Sequence, residues 1–524
     1  MRGVVHRWCG RVCGLLALAG ILAACAPSVR RLAPPAPDAA LSVAKAAAMD
    51  AMRQASPERA ARGWLRCAAG AYRAALAGGA VADEAVALDT QCTGHLLDFL
   101  LATEDERWKA RTLDVGGDPL AVQLDGLSPD LAGAPMFVRA ERIQISSLMF
   151  GQRFATNGFG VALVAATRRC EGTPRLVFAD PLKRGSLAIG PREYVLSMDT
   201  TAPYAMLADA SQLKQLAIRN LLVNGRDIGV RQGVYLLEDY DPGKIPVVML
   251  HGLGGSPLVW ARLTNRIQGT PALRSRYQVW HVVYQTNAPV LLSRLRVQGF
   301  LDRTWAAVDP AAHDAARAHM VLVGHSMGGI IARLLSADSG DVLWRAAFLV
   351  PEQQLHGNAD DIDTMRRVLR FTPYPGVDTA FFLATPHHGS PATEDFFGRL
   401  AQHLVKPGGP ELDAIARLVK ANPEGIQPDL LRAYRERGLS SISSLRPDQP
   451  VSRAAWSLLP VAGVRYYTIA GSLPGEAVPG DGVVPLESSF LPGAVSTTTV
   501  TSGHRVYRND EAINLIVKTL GESP

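Results

Sequence analysis

Two kinds of hydrophobic spacing divide the first half of the chain. Over residues 41–110 the apolar positions recur at helical spacing, and Gly78-Gly79 separates two such stretches, which predicts a helical region. Over residues 111–240 short runs rich in β-branched and aromatic residues lie between Gly, Pro and Asp, as is typical of strands joined by turns. We predict a β-rich accessory region there, and its function is not indicated by the sequence.

From Ile245 onward, apolar runs that predict strands alternate with helical stretches. The strand runs are IPVVML, YQVWHVVY, MVLVGH, TAFFLA, RYYTIAGS and STTTVT, and NDEAINLIVKTL predicts a closing helix with Asn509 as its N-cap. Strands that alternate with helices favour a mostly parallel sheet covered on both faces. We therefore predict an α/β domain over residues 241–524.

Residues 390–460 interrupt this alternation and are a candidate cap. They carry two apolar stripes at helical spacing. The first consists of Phe396, Phe397, Leu400, Leu404 and Val405, and the second of Leu412, Ile415, Leu418 and Val419. The stripes either line an acyl-binding site or pack on the sheet, and spacing alone does not decide between the two.

The N-terminus has the pattern of a targeting segment. Basic residues precede the apolar run GLLALAGILAA, which is too short to span a bilayer and ends in LAAC at Cys25. This resembles the lipobox of bacterial lipoproteins, in which cleavage before the cysteine makes it the lipidated N-terminus. Residues 1–24 would then be a signal peptide and residues 25–40, rich in Pro and Ala, a tether. An ordinary secretory signal with a stray cysteine is the alternative.

The lipobox resemblance implies a location as well as a modification. The mature protein would be anchored to a membrane of the bacterial cell envelope rather than span it. Ala26, directly after the cysteine, suits the outer membrane, facing the periplasm or the exterior.

Composition and charge exclude some classes of partner. The chain has 524 residues, 48% of them hydrophobic and 19% charged, which suits a globular protein of more than one domain. Its net charge of +6 falls to +3 without the three arginines of the leader, and no nucleic-acid-binding motif is present, so we expect no nucleic-acid partner. For Cys67, Cys92 and Cys170, a Cys67–Cys92 disulfide and three buried thiols both remain open. The oligomeric state is not indicated.

One serine stands between two glycines at the end of a predicted strand. In VLVGHSMGGIIARLL a short apolar run leads to Ser326, and a helical stripe follows it. The sharp turn needs small residues two positions before and after the serine, and Gly324 and Gly328 provide them. This is the G-x-S-x-G nucleophile elbow, so we predict Ser326 as a nucleophile and the N–H of Met327 as a donor to an oxyanion.

A serine nucleophile needs a base, and the base needs an orienting acid. In this topology the acid follows a later strand and the histidine follows the last one. Asp481 lies after RYYTIAGS and His504 lies after STTTVT, so we predict Asp481 and His504 as the partners of Ser326.

Several other residues compete for these two roles. His387 and His388 follow their strand one strand too early, and we interpret them as loop or pocket residues, with one of them replacing His504 as the alternative. Glu476 and Glu487 flank Asp481 but lack its tight Gly-Asp-Gly loop. Asp378 precedes its strand and would lie at the wrong edge of the sheet.

Four motifs together resemble one branch of a known family. HGLGGSP, GHSMGG, FLATPHHGSP and GDGVVP, with His504 near the end, look like the lipase-like branch of the α/β-hydrolases, including triacylglycerol-lipase-like and inositol-deacylase-like proteins. The resemblance covers about residues 235–520 and implies the α/β-hydrolase fold, hydrolysis of carboxylic esters, and no cofactor or metal. By the same resemblance Leu253 supplies the second oxyanion N–H, and His251 supports that loop. His388 stands where the family often has arginine, which leaves substrate recognition open.

These observations favour a lipid-anchored serine hydrolase acting on carboxylic esters, above all lipid acyl esters. An acyltransferase that uses the same acyl-enzyme and an esterase for short-chain esters are alternatives. A non-catalytic binding lipoprotein of the envelope is a third, and an incomplete set of Ser, His and Asp would have favoured it.

Overall fold

The structure is a computed structural model of the whole chain. It describes residues 36–102, 112–125, 136–139, 144–147, 161–170, 173–179, 186–195, 232–238, 240–390, 408–438, 441, 449–475 and 478–522. The predicted signal peptide, Cys25 and most of the predicted tether lie outside the described residues. So do Phe396 to Val405 of the candidate cap, and Glu476.

Three helices open the described part of the chain. They are α1 (Pro37–Arg53), α2 (Pro57–Ala77) and α3 (Ala82–Ala102). Helix α2 begins where the Ser56 hydroxyl accepts a hydrogen bond from the N–H of Arg59, and it ends at Gly78. Helix α1 begins at Pro37, inside the stretch of residues 25–40 predicted as a tether. Its alanines are buried against α2. Composition alone does not distinguish such a buried alanine face from a flexible Ala-rich segment.

The cysteine question is settled for two of the three thiols. Cys67 of α2 and Cys92 of α3 form a disulfide, and both residues are fully buried. Cys170 ends strand β5, which is defined below.

The accessory region contains a six-stranded sheet in the order β1-β2-β6-β5-β4-β3. Its strands are β1 (Thr112–Val115), β2 (Asp118–Asp125), β3 (Met136–Arg139), β4 (Gln144–Ser147), β5 (Val161–Cys170) and β6 (Thr173–Ala179). A hairpin, β7 (Ser186–Ile189) with β8 (Arg192–Val195), follows it. Trp64, Leu96 and Leu176 share one core cluster, so the helices pack on this sheet.

The second sheet has seven strands in the order β15-β14-β13-β12-β10-β11-β9. They are β9 (Gly233–Leu236), β10 (Ile245–Leu250), β11 (Tyr277–Val283), β12 (Met320–His325), β13 (Val377–Leu383), β14 (Arg465–Ser472) and β15 (Ser496–Thr501). All pairs are parallel except β9 with β11. The predicted α/β class is confirmed. The sheet, however, begins before residue 241, because strand β9 pairs antiparallel with β11 at its edge. This strand precedes the alternation of strands and helices from which the domain was predicted.

Helices cover both faces of this sheet. They are α4 (Ala261–Gly269), α5 (Pro271–Arg274), α6 (Val290–Val308), α7 (Met327–Leu335), α8 (Val342–Ala347), α9 (Ala359–Leu369), α10 (Pro410–Ala421), α11 (Pro428–Arg437), α12 (Pro450–Trp456) and α13 (Asp510–Glu522). Successive strand residues point to opposite faces, so Leu322 joins the core under α6 and α7 while Val323 joins the core under α4 and α13. Asn509 caps α13 by accepting from the N–H of Ala512.

Helices α10 to α12 form the described part of the candidate cap. Leu412, Ile415 and Leu418 of α10 are buried in the core cluster that also holds α6 and α7, and Val419 packs against it. This stripe is therefore part of the domain core. None of the helices in the described ranges is long and apolar enough to cross a bilayer.

Candidate active site

Ser326 occupies the turn between β12 and α7 in a backbone conformation that few side chains adopt. Its φ is 54° and its ψ is −124°, and the residue is only 2% exposed. The turn requires glycine on both sides. A Cβ atom on Gly324 would lie 2.5 Å from the carbonyl oxygen of Gly328, and one on Gly328 would lie 2.2 Å from that of Leu250. The local sequence thus allows a turn that larger residues would block.

The two residues predicted from strand order lie beside this serine. The Nε2 atom of His504 is 3.0 Å from the Oγ of Ser326, and its Nδ1 atom is 2.8 Å from Oδ2 of Asp481. Because parallel strands end at one edge of the sheet, residues following β12, β14 and β15 meet there. The arrangement places a base within hydrogen-bond reach of the hydroxyl and an acid behind the base.

The loop after β14 holds Asp481 in one orientation. Its Oδ1 atom accepts hydrogen bonds from the N–H groups of Val483 at 2.8 Å and Val484 at 2.7 Å, which leaves Oδ2 for His504. Gly482 has a φ of 84°, a conformation that glycine adopts without strain. The carboxylate is 1% exposed, so water does not compete for it.

A second histidine supports the position of His504. His325 precedes the nucleophile, and its Nε2 atom lies 2.7 Å from the backbone oxygen of His504. Burial lowers the pKa of His325 to about 3, so its ring is neutral and donates one N–H. Sequence reasoning missed this contact, because only the fold brings residues 325 and 504 together.

The two predicted oxyanion donors lie on either side of the nucleophile. Met327 is the first residue of α7, where backbone N–H groups have no partner within the helix. A Cβ atom on Gly252 would lie 3.0 Å from the Cβ of Ser326, so the loop that carries Leu253 passes directly beside the serine. Among the described residues, no hydrogen bond is found for the N–H of Leu253 or of Met327. Both groups are therefore free to donate to a substrate oxygen.

His251 lies under this loop. Its Nδ1 atom is 3.0 Å from the backbone oxygen of Gly252, and its ring stacks on Tyr284 at 4.6 Å between centroids. Burial lowers the pKa of His251 to about 4. The Tyr284 hydroxyl donates to the backbone oxygen of His251, so the pair supports the loop rather than facing Ser326.

The competing residues lie elsewhere. His387 is completely buried and its ring packs edge-on against Phe382, while His388 packs edge-on against Trp456. Asp378 lies near the start of β13, where its Oδ2 atom is 3.0 Å from Nδ1 of His319. Glu487 lies in the short helix Leu486–Ser489, and the contact with Nδ1 of His504 is made by Asp481.

In the part of the chain that the structure describes, no group of three or more His, Cys, Asp or Glu side chains is placed to hold a metal ion.

The chain is an α/β protein with a mostly parallel sheet and helices on both faces. Ser326, His504 and Asp481 meet at the carboxyl edge of this sheet, in an arrangement suited to nucleophilic chemistry. The profile of the alpha/beta hydrolase family matches residues 247–514, about half of the chain. The chain belongs to the alpha/beta hydrolase family. The predicted fold family and the prediction of a hydrolase are thereby confirmed.

Solved structures with similarity to the chain include three enzymes. The mature lipase BlEst2 of Bacillus licheniformis shares 18% identity, covering 53% of this chain and 93% of that chain, with a TM-score of 0.28. A membrane phospholipase A described as a bacterial virulence factor shares 16%, covering 62% and 94%, with a TM-score of 0.28. Esterase B of Lactobacillus rhamnosis shares 13%, covering 62% and 97%, with a TM-score of 0.28. No curated protein matches the chain significantly in sequence.

Proposed function

We propose that this protein hydrolyses carboxylic esters, with lipid acyl esters as the favoured class, through Ser326, His504 and Asp481. The observation that carries the proposal is the unbroken contact chain from the Ser326 hydroxyl through His504 to the buried Asp481 carboxylate, at 3.0 and 2.8 Å. These are the distances at which a base activates a hydroxyl and an acid orients the base.

In the first half of the reaction, the Oγ atom of Ser326 attacks the ester carbonyl carbon. Nε2 of His504 takes the hydroxyl proton, and Asp481 holds the Nδ1–H and stabilises the imidazolium that forms. The N–H groups of Met327 and Leu253 donate to the carbonyl oxygen as it becomes negative. His504 then returns the proton to the departing alcohol, and an acyl-serine remains.

In the second half, a water molecule attacks the acyl-serine with His504 as base. The acid is released, and the proton returns to Ser326. An alcohol that replaces this water gives a new ester, so the acyltransferase alternative differs only in the acceptor.

An apolar cavity supports an acyl ester as the substrate. It measures about 130 Å³ and lies between the cap helices α10 to α12 and α7, the helix that follows the nucleophile and lines the cavity from Ile330 onward. Ile330, Phe348, Met365, Ile415 and Val451 are among the side chains that line it. Such a lining favours hydrocarbon over polar groups.

The leader supports a location for the enzyme. We propose that Cys25 carries the lipid anchor and that the protein acts at the bacterial cell envelope. Changing Cys25→Ser should move the protein from the membrane fraction to the soluble fraction. Continued membrane association would remove the argument for this anchor.

The test of the activity is a chain-length series of p-nitrophenyl esters and phospholipids. Ser326→Ala should abolish turnover without loss of folded protein, and Asp481→Asn should lower kcat by roughly 10⁴-fold. Ser336→Ala is the matched control, because this buried serine lies at the other end of α7 and its hydroxyl donates to the backbone oxygen of Ala332 within the helix. Turnover that survives in Ser326→Ala contradicts the proposal. New esters formed on addition of alcohol would identify an acyltransferase, and a preference for acetate or butyrate a short-chain esterase.

A further inference from the structure

Among the described residues that line the cavity beside α7, one has a charged side chain. Arg333 lies two turns beyond Ser326 on that helix, lines the cavity and is only 1% exposed. One of its terminal nitrogens donates to the backbone oxygen of His387 at 3.3 Å, while its Nε atom has no partner. Burial lowers the pKa of Arg333 to about 10, so the guanidinium still carries its charge at neutral pH.

In the part of the chain that the structure describes, no carboxylate neutralises this charge. Among the described residues, none with an acidic side chain lines the cavity, and none forms an ion pair with Arg333. Arg294, the other buried arginine near this face, shares a hydrogen bond with Gln298 and stacks on Phe371 at 3.8 Å. A buried charge without a partner is costly, and an anion that enters the cavity would offset that cost.

His387 lies next to Arg333 and is equally unsatisfied. It is completely buried, and both of its ring nitrogens lack a hydrogen-bond partner. Burial and the nearby charge of Arg333 hold the pKa of His387 well below its usual range, so the ring is neutral. A neutral imidazole donates with one nitrogen and accepts with the other. Arg333 and His387 both line the cavity, so an oxygen atom of a ligand bound to Arg333 lies on the same side as the imidazole of His387.

We propose that this cavity binds a medium-chain carboxylate, with its carboxylate on Arg333 and His387 and its alkyl chain against the apolar lining. A carboxylate matches the planar fork of an arginine, and its second oxygen accepts from the imidazole. The rest of the lining offers hydrocarbon contacts that a small inorganic anion does not use. The volume of about 130 Å³ is close to that of a cavity that holds benzene, so the lining accommodates an alkyl chain of medium length at most.

Binding of a carboxylate at this site does not require ester cleavage, so it can be measured in protein that lacks the nucleophile. Its consequence for turnover does rest on the proposed function: an acid held there occupies acyl space, so octanoate should inhibit ester hydrolysis.

The test is calorimetric titration of full-length Ser326→Ala protein with octanoate, octan-1-ol and inorganic phosphate. Octanoate should bind about tenfold or more tightly than octanol, as expected for hydrogen bonds to a charged group. Phosphate should bind more weakly than octanoate. Adding Arg333→Met should remove the preference for octanoate over octanol, and adding Arg294→Met, which removes a buried arginine outside the cavity, should leave it.

Equal affinity for octanoate and octanol in Ser326→Ala overturns the proposal, and so does a preference that survives Arg333→Met. Phosphate binding as tight as octanoate would make this a site for free inorganic anions instead. If Arg333→Met does not fold, His387→Phe serves in its place and should reduce the preference severalfold. Ester turnover by the wild-type protein without octanoate binding refutes this inference alone, and octanoate binding without turnover refutes only the proposed function.

Discussion

Replacing Ser326 with glycine should stabilise the protein relative to Ser326→Ala, although both variants lose the nucleophile. At a φ of 54° and a ψ of −124° a residue with a Cβ atom is strained, and glycine is not. Both changes delete the hydroxyl and its contact with His504, so their difference reports the backbone strain at the elbow.

The size of the difference follows from two opposing terms. Such a conformation costs a non-glycine residue about 1–3 kcal/mol. Glycine costs about 0.4–1 kcal/mol through the greater freedom of the unfolded chain. The balance favours Ser326→Gly over Ser326→Ala by about 1 kcal/mol, or about 2–4 °C in Tm for a domain of this size.

The assay is thermal unfolding of both variants, with a serine in ordinary helix as control. Ser293 is buried in α6, where glycine should be less stable than alanine by about 1 kcal/mol. The order of the glycine and alanine variants should therefore reverse between positions 326 and 293. If the Ser326→Ala variant is as stable as the Ser326→Gly variant or more stable, the backbone at this turn is not strained and the reasoning is wrong.

Three further predictions concern packing, pH and the disulfide. Gly328→Ala should destabilise the protein by about 3 kcal/mol or more in urea unfolding, because its Cβ would meet the carbonyl oxygen of Leu250; equal stability with Gly521→Ala, which meets nothing within 4 Å, would contradict this. Burial lowers the pKa of His281 to about 3, so it stays neutral in the folded protein and takes up a proton only on unfolding. The contribution of neutral His281 to the free energy of unfolding is complete above about pH 6.5 and falls by about 1.4 kcal/mol per pH unit below that. His281→Gln should reduce the slope of the unfolding free energy against pH by this amount. Converting both Cys67 and Cys92 to alanine should cost about 3 kcal/mol in the unfolding of α1 to α3 and leave ester turnover unchanged; a loss of turnover would show that the two regions depend on each other.

The sequence was informative wherever the governing interactions are local. The elbow needs only a strand, a helix and small residues at fixed positions around Ser326, and all of these lie within fifteen residues. The alternation of strands and helices then predicted a parallel sheet. Because the ends of parallel strands share one edge, chain order was enough to select Asp481 and His504 from their competitors.

Local patterns failed where an element has no signal of its own. Strand β9 is a four-residue antiparallel edge strand whose pairing with β11 becomes visible only in the sheet. The first four residues of helix α1, Pro37 to Ala40, lie in a Pro- and Ala-rich stretch that also has the composition of a tether, and packing of the helix on α2 decides where it begins.

The sequence by itself therefore determined the fold class and the chemical groups that meet at the sheet edge, since strand order and spacing encode both. Only the tertiary structure decided which residues surround those groups. It placed His325 against the backbone of His504, and it buried Arg333 beside His387 with no acidic partner among the residues that the structure describes. Such contacts join residues that are tens of positions apart or more, and burial and electrostatic compensation are properties of the packed core that no local pattern reports.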